Sequence, residues 1–364
     1  MTDIVPSPVP LELSDLDRPG MEAAFQARGY EPFRARQVFR WIHRRGIVDF
    51  AKMTDLSQAR RAEFAARFTF TRPVVEKREK SSDGTEKFLL HLADGRQIES
   101  VFIPDTPAMT FCVSTQVGCA MACAFCLTGQ MGLVRNLSAG EIVGQVGALA
   151  DALDLRHKRF NIVLMGMGEP LHNYDETMKA LRILADKEGL SISPRRVTLS
   201  TVGLLPALER LAREPFMPNL AISLHAPSDA VRGALVPLNR KYGVAEITEA
   251  CRRFPLKRRS RITFEYVLLA GVNDSPEDAR TLARLLSGVK SKVNVIPLNA
   301  APGIPFERPS DEAIDRFAQV LADHHLTVSV RKSRGRDIRA ACGQLIVGGR
   351  NRSPAQVLAA AFGG

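Results

Sequence analysis

Three cysteines stand close together, at Cys119, Cys123 and Cys126, in a C-x3-C-x2-C spacing. Three thiolates on one short loop can bind three corners of a cubane iron–sulfur cluster and leave the fourth iron open, because a complete site needs four thiolates. Zinc is the alternative, but a structural zinc site needs four ligands, and the chain has neither a second C-x2-C pair nor a histidine near the loop. Three buried free thiols fit such local clustering poorly. The spacing favours an iron–sulfur centre.

Strands and helices alternate from about residue 110 onward. Predicted strands cover 110–117, 160–165, 196–200, 220–224, 261–268 and 292–298, and predicted helices cover 138–153, 173–187, 204–213, 245–254, 275–286 and 311–324. A repeated β-α unit implies parallel strands with right-handed crossovers. Six units are too few for an eightfold barrel, so we predict an α/β fold with an open, partial (βα)6 barrel. A flat doubly wound sheet is the alternative.

The chain divides into five predicted regions. Residues 1–20 are predicted to be a flexible tail, and 21–72 a basic helical accessory domain that binds RNA. In that domain Ala35, Val38, Phe39 and Ile42 recur at helical spacing, while arginines occupy another face. Turn signals at 82–84 and 93–95 predict an antiparallel strand extension over 73–109. The barrel covers 110–333, and 334–364 forms a C-terminal segment.

Composition limits the class of protein. The 364 residues carry a net charge of +11, with an isoelectric point near 9.6, which favours a polyanionic partner such as nucleic acid. Hydrophobic residues make up 45% of the chain, which excludes wholesale disorder. No run approaches the roughly 18 apolar residues of a membrane span, and the first 20 residues do not resemble a secretory signal. We therefore expect a cytoplasmic protein without structural disulfides.

Polar residues recur where the predicted strands end. Ligands of parallel β/α folds lie beyond the carboxyl ends of the strands. Each polar residue alone could be a helix cap or turn residue, but recurrence at equivalent positions favours a ligand site. The candidates are Gly168, Glu169, Ser200, Ser223, Leu224, His225 and Asn299.

The cysteine loop after the first strand of a six-unit barrel resembles the radical S-adenosylmethionine (SAM) superfamily. This resemblance implies a [4Fe-4S] cluster on Cys119, Cys123 and Cys126, with SAM chelating the open iron. It also implies that Gly168 and Glu169 hold the amino-acid end of SAM and the other strand-end residues hold the remainder. One-electron cleavage of SAM then yields a 5′-deoxyadenosyl radical.

Further motifs resemble one branch of that superfamily, the RlmN/Cfr family of RNA adenine methyltransferases. They are Gly-Met-Gly-Glu-Pro-Leu at 166–171, Ser-Leu-His at 223–225, Ile-Glu-Ser-Val around Glu99, Cys112 before the cluster loop, and Cys342 after a basic run. The resemblance implies methylation of 23S rRNA and tRNA at adenine carbon 2, and Pro170 and the sequence ending at Asn299 favour that branch. Methylation at carbon 8 is the alternative within the family. A non-catalytic, zinc-stabilised RNA-binding protein and a radical enzyme with a small substrate are the alternatives outside it.

The family resemblance also implies roles for three residues. Cys342 carries the methyl group as S-methylcysteine, Cys112 resolves the protein–RNA thioether through a transient disulfide, and Glu99 accepts a proton. Two SAM molecules serve each methylation, an external donor such as a flavodoxin supplies electrons, and the enzyme acts as a monomer. Basic segments at 34–45 and 252–259 are expected to contact the RNA backbone. Cys251 fits no motif and is expected to be a buried apolar residue.

Overall fold

The computed structural model describes residues 10–104, 108–348 and 353–362. The strands are β1 (Leu11–Glu12), β2 (Phe68–Thr69), β3 (Val74–Lys80), β4 (Glu86–His91), β5 (Gln97–Ile103), β6 (Thr110–Cys112), β7 (Gln116–Gly118), β8 (Leu133–Asn136), β9 (Asn161–Leu164), β10 (Val197–Thr201), β11 (Asn219–Ser223), β12 (Ile262–Leu268), β13 (Ser291–Pro297) and β14 (Val328–Val330).

The α-helices are α1 (Arg18–Gln26), α2 (Pro32–Phe39), α3 (Gln58–Arg67), α4 (Leu127–Met131), α5 (Ala139–Ala152), α6 (Tyr174–Ala185), α7 (Leu205–Leu211), α8 (Asp229–Leu235), α9 (Val244–Arg253), α10 (Pro276–Leu285), α11 (Asp311–Asp323) and α12 (Pro354–Phe362). Within the described residues, no helix is both long and apolar enough to span a membrane.

The main sheet has ten strands in the order β14-β13-β12-β11-β10-β9-β6-β5-β4-β3. Strands β6 and β9 to β14 are parallel and neighbour one another in chain order. A doubly wound sheet would reverse its order at a switch point, so the partial barrel is confirmed and the flat alternative is wrong. The predicted extension is present as β3 to β5, which continue the sheet from β6 in antiparallel pairs.

Two strand predictions need correction. The first strand ends at Cys112 rather than residue 117, because Ser114 and Thr115 turn the chain away and β7 pairs with β8 instead. Gly118 permits this hairpin: its φ is +77°, and a Cβ there would lie 1.9 Å from the Gly132 carbonyl oxygen. A seventh parallel strand, β14, was missed because only three residues form it, and they lie partly exposed at the sheet edge.

The predicted tail is wrong for its described part, residues 10–20; residues 1–9 lie outside the described ranges. Strand β1 pairs with β2, and Leu13 is fully buried. The Asp17 carboxylate caps α1, and Arg18 forms an ion pair with Asp186 of the barrel at 2.9 Å. Leu11 and Leu13 supply the apolar surface that fixes this segment, a signal that the prolines and acidic residues around it obscured.

The helical module packs on the barrel through its predicted apolar face. Ala35, Val38, Phe39 and Ile42 are all buried, as predicted. Trp41 is buried too, and its indole nitrogen donates to Asp55 at 2.6 Å. The basic face lies outside: Arg40 pairs with Glu188, which follows α6.

Candidate active site

A cavity of about 940 Å³, counting its open mouth, lies at the carboxyl ends of the parallel strands. It brings together the cysteine loop, which follows β7, and residues that follow β9, β10, β11 and β13. Of the predicted site residues, the lining includes Cys119, Cys123, Cys126, Gly168, Glu169, Ser200, Ser223, His225, Asn299 and Cys342. Leu224 is fully buried behind this surface, and its backbone N–H donates to the Glu265 carbonyl.

The three loop thiols suit a cluster better than a single ion. Burial raises the pKa of Cys119 to about 12 and that of Cys123 well above its usual range. The thiolate forms therefore need positive charge beside them, which iron supplies. In the described ranges, there is no group of three His, Cys, Asp or Glu side chains that could hold a single metal ion. A multi-iron cluster binds each thiolate at a different iron, so its ligands need not converge on one point.

Glu169 is a buried carboxylate at the end of β9. Its Oε2 accepts from the Val202 N–H at 2.9 Å and its Oε1 from the Leu171 N–H at 3.0 Å. Burial nevertheless raises the pKa of Glu169 to about 7, so a nearby ligand ammonium would stabilise its charged form. Gly168 has a φ of +101°, and a Cβ there would lie 2.6 Å from Gln116 Cβ, so only glycine fits this turn.

The ends of β10 and β11 place two hydroxyls side by side. Ser200 Oγ lies 3.1 Å from Ser223 Oγ. Burial lowers the pKa of His225 to about 3, so the ring is neutral, and its Nδ1 accepts from the Val267 N–H at 3.1 Å. The Asn299 amide nitrogen donates to the Cys342 carbonyl at 3.2 Å, while its buried Oδ1 has no partner among the described residues. Asn299 therefore keeps one acceptor for a ligand.

Arg232 of α8 cross-links the same strand ends from behind. Its guanidinium is fully buried and donates to the carbonyls of Leu224 at 2.9 Å and Val202 at 2.6 Å, and to Asn239 Oδ1 at 3.0 Å. Burial lowers its pKa to about 10, so it still carries charge at neutral pH. Sequence reasoning missed Arg232, because a buried arginine on a short helix leaves no pattern.

Replacing Arg232 by methionine is expected to lower the free energy of unfolding by about 3 kcal/mol or more, since three buried acceptors lose their donor. SAM affinity should weaken with it, because Val202 and Leu224 adjoin the cavity. Denaturant unfolding and calorimetric titration measure the two effects. The matched control is Arg280→Met, which removes an exposed arginine paired with Glu277 and should cost less than about 1 kcal/mol. Equal destabilisation of the two variants would contradict the cross-linking role.

A second cavity of about 690 Å³ adjoins the first and contains both remaining candidate cysteines. Cys342 lines both cavities, Cys112 lines the second, and Arg331 lines both. The Cys342 thiolate raises the pKa of the Arg331 guanidinium, so a cation lies beside the sulfur. Burial, reinforced by Cys342, raises the pKa of Cys112 to about 12. All six cysteines are free thiols.

Glu99 of β5 holds the segment that carries Cys342. Its Oε2 accepts from the Ile346 N–H at 2.8 Å, and its Oε1 lies 3.1 Å from Lys87 Nζ. Burial raises the pKa of Glu99. Within the described ranges, Glu99 lines neither cavity. The structure thus brings Glu99 to the Cys342 segment but not to the cavity surface.

Glu265 of β12 is a cavity residue that sequence reasoning missed. It is buried, accepts from the Asn294 amide at 2.7 Å, and lines the first cavity near Arg331. Burial raises its pKa. The signal that could have found it was an acid in the mainly apolar second half of the predicted strand 261–268, since a carboxylate in a buried parallel strand needs a partner or a role.

The partial barrel, with three thiols on a loop beyond its first strand, defines a radical SAM enzyme. The radical SAM superfamily model matches residues 113–284, and the superfamily's cofactors are a [4Fe-4S] cluster and SAM. The model of the ribosomal RNA large subunit methyltransferase N-terminal domain matches residues 11–69.

Relatives that match nearly the whole chain identify which family within the radical SAM superfamily it belongs to. The dual-specificity RNA methyltransferases RlmN of Pelobacter propionicus and Geobacter sulfurreducens are 49% and 50% identical, over 92% of this chain and 95% and 92% of theirs. The crystal structure of a radical SAM methyltransferase from Sphaerobacter thermophilus matches with a TM-score of 0.87 and 49% identity, covering 92% of this chain and 99% of that one. This chain belongs to the RlmN family of radical SAM RNA methyltransferases. The zinc-stabilised, non-catalytic alternative is wrong.

Proposed function

We propose that the enzyme methylates adenine carbon 2 in both 23S rRNA and tRNA, through an S-methylcysteine at Cys342 and with two SAM molecules per methylation. The observation that supports this most directly is the position of Cys342. It lies where the cavity with the three loop thiols meets the cavity with Cys112. One sulfur can therefore face the cofactor on one side and the second cysteine on the other.

Cys119, Cys123 and Cys126 would hold the cluster, whose bound SAM supplies a one-electron route to an adenosyl radical. Glu169 and the backbone around Gly168 would hold the amino-acid end of SAM, because the buried Glu169 carboxylate has no positive partner among the described residues. The rest of the cofactor would be positioned by Ser200, Ser223, His225, Asn299 and the backbone at Leu224.

Cys342 accepts the methyl group. Its sulfur is the nucleophile, and the Arg331 guanidinium lies beside it. Carbon 2 of adenine is electron-poor and cannot itself attack a sulfonium methyl group. A methyl group carried on a protein sulfur avoids this barrier, because it can lose a hydrogen atom and add to the ring as a carbon radical. The carrier sulfur is left bound to the RNA through one methylene carbon.

Cys112 then releases the product. The radical adduct on the ring would first give up its unpaired electron, for which the oxidised cluster would be the acceptor. The Cys112 thiol then loses its proton, and its sulfur forms a bond to Cys342 sulfur while the bond from Cys342 sulfur to the methylene carbon breaks. The electron pair stays on that carbon, which takes up a proton and becomes the methyl group. Glu99 would accept the proton that leaves the ring, which requires the 2.8 Å contact with the Ile346 N–H to rearrange. The resulting disulfide needs reduction by an external thiol, and the cluster needs an external one-electron donor such as a flavodoxin. We propose that one protomer suffices, since both cysteines come from one chain.

We expect the product to be 2-methyladenosine, with one 5′-deoxyadenosine and one S-adenosylhomocysteine formed for each. Mass spectrometry of nucleosides from rRNA and tRNA incubated with the reconstituted enzyme measures all three. The control RNA carries guanosine in place of the target adenosine and should gain no methyl group. Finding only 8-methyladenosine would move the enzyme to the alternative branch of the family.

A further inference from the structure

The end of the barrel at which the parallel strands begin, termed here the lower edge, carries concentrated positive charge. A cavity of about 1,810 Å³ opens there, between the segments that precede β10, β11 and β12 and the start of β13. Its lining contains no carboxylate among the described residues. It contains six exposed cations: Arg195, Lys257, Arg258, Arg259, Arg261 and Lys292.

These six cations have no counter-charge among the side chains that the structure describes. None of them forms an ion pair with a described carboxylate; the one side-chain hydrogen bond among them runs from Arg261 to Thr327 Oγ1 at 2.7 Å. By contrast, Arg252 is paired with Glu249 and Arg280 with Glu277. Unpaired like charges around one cavity repel each other, and a bound polyanion would relieve that repulsion.

The lower edge lies far from the chemistry. Lys292 is the second residue of β13, and Asn299 lies just beyond the other end of that strand. Seven residues of extended chain span about 23 Å. A ligand at the lower edge cannot be the target nucleotide, and an RNA that reaches both places must continue well beyond its reacting base.

A second basic cavity, of about 1,560 Å³, follows the same edge toward the helical module. Arg44 and Arg45 of the module face Arg156, His157 and Lys187 in the segments that precede β9 and β10. Arg40 also lines it and is paired with Glu188, and Arg156 is paired with Asp151. Positive charge therefore runs from the module to β13.

We propose that the lower edge binds the phosphate backbone of the RNA substrate at a distance from the target adenosine. Arginine and lysine are the side chains that make phosphate contacts. A protein partner is less well matched, because the centres of protein interfaces are rich in aromatic residues and poor in lysine. No described residue that lines the larger cavity is aromatic, and its apolar members are only partly exposed or buried.

The test compares Arg258→Gln/Arg259→Gln with the control Arg280→Gln/Arg284→Gln, which removes two exposed charges from α10. The probes are a full-length tRNA transcript and an isolated stem–loop with the same target adenosine. The first variant should bind the full-length RNA about tenfold more weakly at low salt, and its log–log salt slope should fall by about one for each phosphate that the variant no longer neutralises. Its affinity for the stem–loop, and both affinities of the control, should stay at the wild-type level.

Three results would overturn the proposal. Unchanged affinity for both RNAs would show that the edge does not contact RNA. Equal weakening for both would place the contact beside the target. Unchanged RNA affinity with weaker binding of purified flavodoxin would assign the edge to an acidic protein. Methylation of the stem–loop by the wild-type enzyme tests the proposed function separately.

Discussion

Alanine in place of Cys123 is expected to abolish cluster binding and methylation while leaving the fold intact. The anaerobically reconstituted wild type should be brown and contain about four irons per chain, and the variant should be colourless. The physical reason is the burial that holds the pKa of Cys123 well above its usual range. The Cys123 thiolate is stable there only beside a bound cation. Without Cys123, the two remaining loop thiols leave one further iron of the cluster without a protein ligand.

The chain offers a matched control for this experiment in Cys251. It is a free thiol on α9, 2% exposed, and it packs in the hydrophobic core. Either substitution removes one buried sulfur and should cost about 1 kcal/mol of stability, but Cys251→Ala should keep its iron and its activity. Iron and sulfide analysis separates the two. Full iron content in Cys123→Ala, or iron loss in Cys251→Ala, would remove Cys123 from the ligand set.

The gathering of polar residues at the strand ends was predictable because parallel strands bring their carboxyl ends to one edge. Ser200 and Ser223, 23 residues apart, meet at 3.1 Å for that reason alone. The cysteine loop was readable from its spacing. Both signals are local in the sequence. The first depends on the periodicity of the predicted strands and helices, and the second depends on a short motif.

The position of Cys342 could not be predicted from such signals. Residues 331–348 contain no helix or strand, so no periodicity indicates their path. They are held by contacts between residues distant in the chain, such as the Ile346 N–H to Glu99 and Thr128 Oγ1 to the Leu345 carbonyl at 2.6 Å. Only the family resemblance pointed to Cys342, and only the structure shows it between two cavities.

Substitution of the two cysteines is expected to have different consequences. Cys342→Ala has no methyl carrier, so it should form neither product nor a covalent complex with RNA. Cys112→Ala keeps the carrier, and methylation, hydrogen abstraction and addition to the ring remain possible. Only the release step is blocked, so this variant should accumulate protein bound to RNA through Cys342 and one methylene carbon.

A purely structural role predicts no such difference between the two variants. Cys112 is buried and Cys342 partly buried, so each substitution would then lower stability by the modest cost of a small cavity and neither would trap RNA. The measurement is denaturing electrophoresis of protein purified from cells, before and after nuclease, followed by mass spectrometry of the peptide that contains residue 342. The double variant Cys112→Ala/Cys342→Ala is the control and should carry no RNA. Covalently bound RNA in Cys342→Ala, or none in Cys112→Ala under turnover conditions, would reverse or remove the proposed roles of carrier and resolving thiol.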